Sequence, residues 1–140
     1  MKIYLAGPLF TTAEREFNAA LARALRACGH EVFVPQECEQ DRMTAREIFL
    51  SDVRGIDWAE AVVANMDGPD PDSGTSWECG YAYGKKPVIV FRTDFRVGAE
   101  HDGAPYNLML TESADRRLDL SFTDVASVAK RIDEVLRELP

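Results

Sequence analysis

Apolar positions along the chain fall into two kinds of cluster. The first kind is short and solid: "KIYLAG" (2–7), "EVFVP" (31–35), "EAVVANM" (60–66) and "KPVIVF" (86–91). These runs are rich in β-branched residues and are bounded by Gly, Pro or polar residues, which predicts strands, the first of them buried on both faces. The second kind recurs at helical spacing. Phe17, Leu21, Leu25 and Cys28 form one such stripe, Phe49, Val53 and Ile56 a second, and Val125, Val128, Ile132, Val135 and Leu139 a third.

Local signals mark the helix ends. Thr11 with Glu14 and Thr44 with Glu47 match the capping box, in which hydroxyl and carboxylate satisfy each other's backbone amides. Gly29 supplies a stop. Thr75 with Glu78 is a third match, and a helix is expected from about Ser76 to Gly84. "QECEQDRM" (36–43) reads as a polar loop, 92–116 as a long irregular segment, and "RLDLSF" (117–122) as a fifth strand. Strands alternating with helices predict one α/β domain over residues 1–140, a three-layer sandwich around a mostly parallel five-stranded sheet. Ligands of such sheets bind beyond the carboxyl ends of the strands. That rule selects "GPLFTT", "NMDGPDPDSGTS" and "FRTDFR", with the loop that begins "PQE" on the same edge.

Charge narrows the partners. The net charge is −8 and only 16 residues are basic, so a polyanionic nucleic acid is disfavoured. No apolar run is long enough to span a membrane, and "MKIYLAGP" is too short in apolar length for a signal peptide. Cys28, Cys38 and Cys79 show no metal-ligand spacing, and His30 and His101 form no cluster with them, so no metal is expected and a reducing cytoplasm is the simplest setting.

The candidate chemistry lies in "GPDPDSGTSWECGYAYGKKPVIVF" (68–91). As a capping residue Glu78 needs no further role, and "DGPDPDSG" reads equally as a solvated turn. Against that, Glu78 stands at the ligand edge, and Asp72 precedes it across a tight Ser-Gly turn, so two carboxylates could converge. Pattern leaves both readings open. Neither G-x-G-x-x-G nor G-x-x-x-x-G-K-[ST] occurs, and Asp67, Asp70 and Asp72 are unsuited to cradling phosphate. A neutral hydroxylated ligand suits carboxylates better, and a carboxylate below an anomeric carbon can serve as a nucleophile.

"KIYLAGPLF", "SDVRGID", "DSGTSWECGYAYGKKPVIVF" and "NLM" together resemble the nucleoside 2-deoxyribosyltransferases, over residues 2 to about 110. The resemblance implies a flavodoxin-like fold. It also implies cleavage of the N-glycosidic bond of 2'-deoxynucleosides, through a covalent glutamyl-deoxyribosyl intermediate, with transfer to a second purine or pyrimidine base and no cofactor. By this resemblance Glu78 is the nucleophile and Tyr4 orients it. Asp52 serves base binding and proton transfer, and Asp72 lies near the sugar hydroxyls. Gly7, Phe10 and Gln36 belong to the substrate site. Asn107, with Met109 beside it, is donated to a neighbouring subunit, which implies a homo-oligomer, a dimer-based tetramer or hexamer. Leu9 departs from members that carry tryptophan there, and "RELP" replaces a C-terminal tyrosine that reaches the neighbour's site. Three rival readings remain. The first is an N-glycohydrolase of deoxynucleosides or their 5'-monophosphates. The second is a non-catalytic nucleotide sensor, and the third is a flavin-binding protein.

Overall fold

The computed structural model describes residues 1–38, 40–98 and 101–140. Five strands are present: β1 (Lys2–Ala6), β2 (Glu31–Phe33), β3 (Ala61–Asn65), β4 (Val88–Arg92) and β5 (Arg116–Asp119). The helices are α1 (Thr12–Ala27), α2 (Ala45–Trp58), α3 (Ser73–Ala82), α4 (Leu108–Ser113) and α5 (Val125–Arg137). The strand order is β2-β1-β3-β4-β5 and every pairing is parallel, so the sheet is wholly parallel where a mostly parallel one was expected. This is the flavodoxin-like order, whose switch point lies between β1 and β3.

Alternation along the strands divides the core in two. Ile3, Leu5, Val63, Ile89 and Phe91 face α1 and α5, where Leu21, Leu25, Ile132 and Leu136 are fully buried. Tyr4, Ala6, Val62, Ala64, Val88 and Val90 face the other way, toward Ile56 of α2, Cys79 and Ala82 of α3 and Leu110 of α4. Two of the three capping-box matches form, at Thr11 with Glu14 and Thr44 with Glu47.

Several boundaries differ from expectation. α3 begins at Ser73 because Asp72, not Thr75, is its cap: Asp72 Oδ2 accepts from Thr75 N at 2.9 Å. The polar loop holds two short 3-10 turns, Pro35–Glu37 and Gln40–Arg42. The irregular segment contains α4, which starts where Asn107 Oδ1 accepts from Met109 N at 2.9 Å. β2 is shorter than its apolar run, and β5 ends at Asp119, before the Leu-Ser-Phe of its run. Glu39 in the polar loop, and Ala99 and Glu100 in the long segment, lie outside the described residues.

Candidate active site

β1 places Tyr4 on the α3 side of the sheet, where the ring is fully buried. α3 buries Thr75, Cys79 and Ala82 against the sheet, a stripe small enough to let the helix lie close. Glu78, beside that stripe, is carried within reach of β1, and Tyr4 Oη donates to Glu78 Oε1 at 2.5 Å. The two residues are 74 apart in sequence. This contact replaces the capping role open to Glu78 on pattern alone.

Tyr4 is braced from behind. Phe33, at the end of β2, stacks on it with ring centroids 5.5 Å apart and planes 14° from parallel. Phe33 in turn lies on bare backbone at Gly55 of α2, where an added Cβ would meet ring carbons at 2.7–2.9 Å. Real contacts are not that short, so the ring holds its place only because residue 55 has no side chain.

Electrostatics set the protonation states. Burial pushes the Glu78 carboxyl up to about 7; the Tyr4 hydrogen bond opposes this, and the charges of Asp52 and Asp72 add to it. Burial, then the Glu78 charge, drives the Tyr4 phenol far above its ordinary range, so Tyr4 keeps its proton and remains a donor. Burial raises Asp52 to about 6, and its Oδ1 is buried without a hydrogen-bond partner among the described residues. An undonated carboxyl oxygen in such a place favours the protonated form. Cys79 is pushed up to about 12 by burial and by Glu78, which removes it as a thiolate nucleophile.

A cavity of about 290 Å³ opens over this group, lined by Phe49, Asp52, Gly74, Trp77 and Glu78. That is the low end of ligand-pocket sizes. Its aromatic wall is Phe49 edge-on to Trp77 at 5.4 Å, with Trp77 stacked on Tyr81 at 5.2 Å. Phe49 is 40% exposed and Trp77 48%, so both present ring surface to the opening. Gly74 keeps the floor low. A Cβ there would approach Asp72 Oδ2 to 3.1 Å.

Of the expected site residues, Tyr4, Asp52 and Glu78 come together and the others stand apart. Asp72 does not converge on Glu78 by contact, because Oδ2 takes both the amide and the hydroxyl of Thr75 as the α3 cap. Asp67, in the same loop, also holds backbone, accepting from Thr93 N at 2.6 Å and Asp94 N at 2.8 Å. Gln36 accepts from Asn18 Nδ2 at 3.0 Å and donates to the Arg15 carbonyl at 2.8 Å, so its amide ties the segment after β2 to α1. Gly7 sits where a Cβ would meet Asn65 Cβ at 3.2 Å, which lets the loops after β1 and β3 approach. Phe10 is 73% exposed and does not line the cavity over Glu78. Asn107 and Met109 line a different cavity, of about 350 Å³, with Asp70, Ser73, Ser76 and Leu110.

Four residues were not anticipated in these roles: Phe33, Gly55, Phe49 and Trp77. A glycine inside a helical pattern was the available signal for Gly55. Phe49 belongs to the apolar stripe of its helix, and that spacing carries no sign of a cavity wall. Among the described residues, no group of three or more His, Cys, Asp or Glu side chains converges as metal ligands would. No helix among them is long and apolar enough to cross a membrane.

Comparison with known proteins gives one family. Its sequence profile, described as nucleoside 2-deoxyribosyltransferase, matches residues 3–109. No curated protein sequence matches significantly. Among solved structures, a 2-deoxyribosyltransferase from Bacillus psychrosaccharolyticus is 31% identical, with a TM-score of 0.71 over 92% of this chain and 90% of that one. A conserved protein from Enterococcus faecalis V583 is 25% identical, with a TM-score of 0.72 over 96% and 98%. A 2-desoxiribosyltransferase from Leishmania mexicana, 23% identical with a TM-score of 0.72 over 95% and 97%, shares the fold.

Proposed function

The chain belongs to the nucleoside 2-deoxyribosyltransferase family, and from that premise we propose that it transfers 2-deoxyribose between nucleobases through an ester at Glu78. The observation that carries the proposal is the 2.5 Å bond from Tyr4 to Glu78 at the wall of a cavity that also holds Asp52.

In the first half-reaction an oxygen of ionised Glu78 attacks C1' from the α face. The C1'–N bond breaks, and its electron pair leaves with the base. Protonated Asp52 gives that base a proton. The transition state resembles an oxocarbenium ion, and a carboxylate held in place stabilises its charge without reorganisation. In the second half-reaction another base attacks C1', the Glu78–C1' bond breaks, and Asp52 recovers a proton from the incoming base. Two inversions restore the β configuration. Tyr4 holds the carboxylate rotamer and, by donating, keeps Glu78 more acidic than burial alone would. The base lies against Phe49 and Trp77, a role the chain needs because Leu9 and exposed Phe10 offer little stacking surface at this cavity.

The small cavity and the separate position of Asn107 and Met109 support assembly. In one protomer they do not reach the Glu78 cavity. In a homo-oligomer a neighbour's Asn107 would close the sugar side.

Incubation with deoxyinosine and adenine should yield hypoxanthine and deoxyadenosine together. Hypoxanthine release that ignores adenine, with no deoxyadenosine, would instead make water the acceptor and the protein a glycohydrolase.

A further inference from the structure

A larger cavity, about 440 Å³, lies beyond the carboxyl ends of β4 and β5. Arg92, Phe95, Arg96, Tyr106, Arg117 and Asp119 are among its walls, and it shares no lining residue with the cavity over Glu78.

Arg92 is the unusual member. It is 5% exposed. Its Nε donates to the Asp94 carbonyl at 3.1 Å, one terminal nitrogen to the Met66 carbonyl, and the other to the carbonyls of Gly68 and Arg96, both at 2.9 Å. All four partners are neutral, and no carboxylate pairs directly with Arg92 among the described residues. A buried cation whose direct partners are all neutral keeps its charge, which acts at longer range on Asp94 and Asp119. The nearby carboxylates are engaged elsewhere. Asp94 is forked by Arg96, with Nε at 3.0 Å and the terminal nitrogen at 2.5 Å. Asp119 accepts from Ser121 N at 3.1 Å and Oγ at 2.7 Å. Arg117 reaches Glu112 only at 3.8 Å, with both side chains exposed, so its pairing is loose. Three guanidiniums thus face two committed carboxylates, in a chain whose net charge is −8.

Aromatic surface stands at the same place. Phe95 is exposed and stacks on Phe122 at 5.3 Å with planes 15° apart. Phe122 is exposed too, and is held at φ 60, a conformation uncommon for a bulky residue. Tyr106, 4% exposed, adds an inner wall, with the Arg92 guanidinium 5.7 Å from its ring centre.

We propose that this cavity is a second binding site for a planar aromatic ring carrying one anionic group, the class represented by a nucleoside 5'-monophosphate. The ring lies against Phe95 and the phosphate meets Arg117 within the field of Arg92. The site is separate from the Glu78 chemistry and does not depend on it.

Calorimetric titration with AMP, adenosine and inorganic phosphate tests this. AMP should bind the wild type and Glu78→Gln equally. Arg117→Ala should weaken it about tenfold or more, the scale of a hydrogen bond to a charged group. Phe95→Ala should weaken it about 5- to 100-fold, the scale of ring stacking. Adenosine and phosphate should each bind at least about tenfold more weakly than AMP. Arg117→Ala should transfer deoxyribose at the wild-type rate. The proposal is overturned if the wild type shows no AMP binding into the millimolar range, or if AMP affinity is the same in both variants. It is also overturned if phosphate alone matches AMP, or if only Phe49→Ala, in the Glu78 cavity, loses AMP. Both substituted side chains are at least partly exposed, and thermal melts of the variants establish that each is folded.

Discussion

On the α1/α5 face of the sheet the buried side chains are large and apolar: Ile3, Leu21, Leu25, Phe91, Ile132, Leu136. On the α2/α3 face many are small, Ala6, Ala59, Ala64, Cys79 and Ala82, and the space they leave admits a phenol and a carboxyl. The two outer layers differ in the same way. α5 is the most amphipathic helix of the molecule and α3 shows almost no amphipathic pattern. One face stores stability and the other gives some of it up to hold Glu78 half-buried, against its hydration. Strain and desolvation of this kind are where stability and activity trade against each other.

The widest separation of the two faces is expected at Glu78. Glu78→Gln should lower transferase turnover about 10⁴-fold or more, as loss of a nucleophile does elsewhere. It should also raise thermal stability at alkaline pH. The folded carboxyl titrates at about 7, above its ordinary 4.5, so the fold favours the protonated form. The penalty is therefore absent below pH 4.5 and grows as pH rises through 7. Because the group is partly exposed, the gain at pH 8 should be only about 1 kcal/mol, or roughly 3 °C, and should vanish at pH 4. Melts at the two pH values check the sign.

Tyr4→Phe should lower kcat about 10²-fold through lost preorganisation. The pH profile carries more information. The proposed mechanism needs Glu78 ionised, a fraction that grows as pH rises through about 7. It also needs Asp52 protonated, a fraction that falls as pH rises through about 6. The productive pair is thus a minority form, and kcat/KM should show a narrow maximum near pH ~6.5, with limbs that belong to the coupled pair. Tyr4→Phe removes a bond that favours ionised Glu78, so the productive minority form becomes rarer: the maximum should fall and the descending limb, which follows the higher of the two pKa values, should move to higher pH. An unmoved limb would remove Tyr4 from that role.

A matched pair of core substitutions sharpens the contrast. Leu25→Ala, on the α1/α5 face, should cost about 2–5 kcal/mol of stability and leave kcat unchanged below the melting transition. Gly55→Ala, on the other face, should cost about 1–3 kcal/mol by overpacking. It should also lower kcat about tenfold, because the displaced Phe33 ring pushes on Tyr4. Equal effects on kcat would erase the distinction between the faces. The smallest effect is expected at the rim, where Trp77→Ala should raise KM for the nucleoside about 5- to 10-fold, the scale of lost stacking, with kcat nearly intact.

The order of elements was legible because strand and helix periodicities differ and because parallel connections are restricted. The start of α3 was not. Thr75 with Glu78 and Asp72 with Thr75 are both acceptable caps locally. The choice falls to Asp72 because Glu78 is claimed by Tyr4, a contact 74 residues away. α4 was hidden because its six residues are too few to show a period. Phe49 shares a helical stripe with Val53 and Ile56, yet its ring edges the cavity with Trp77. The brace through Phe33 and Gly55 depends on the approach of β2 to α2, which no local pattern encodes. The residues of the Glu78 group were nameable from the sequence, but their protonation states were not, since burial sets those.

The most direct test is mass spectrometry of the protein mixed with a 2-fluoro-2-deoxy nucleoside, whose fluorine slows hydrolysis of a glycosyl ester. A mass increase of one fluorinated sugar, mapped by proteolysis to Glu78 and absent from Glu78→Gln, is the expected result. An unmodified protein that still exchanges bases on deoxynucleosides, or an adduct on another side chain, would contradict a covalent role for Glu78.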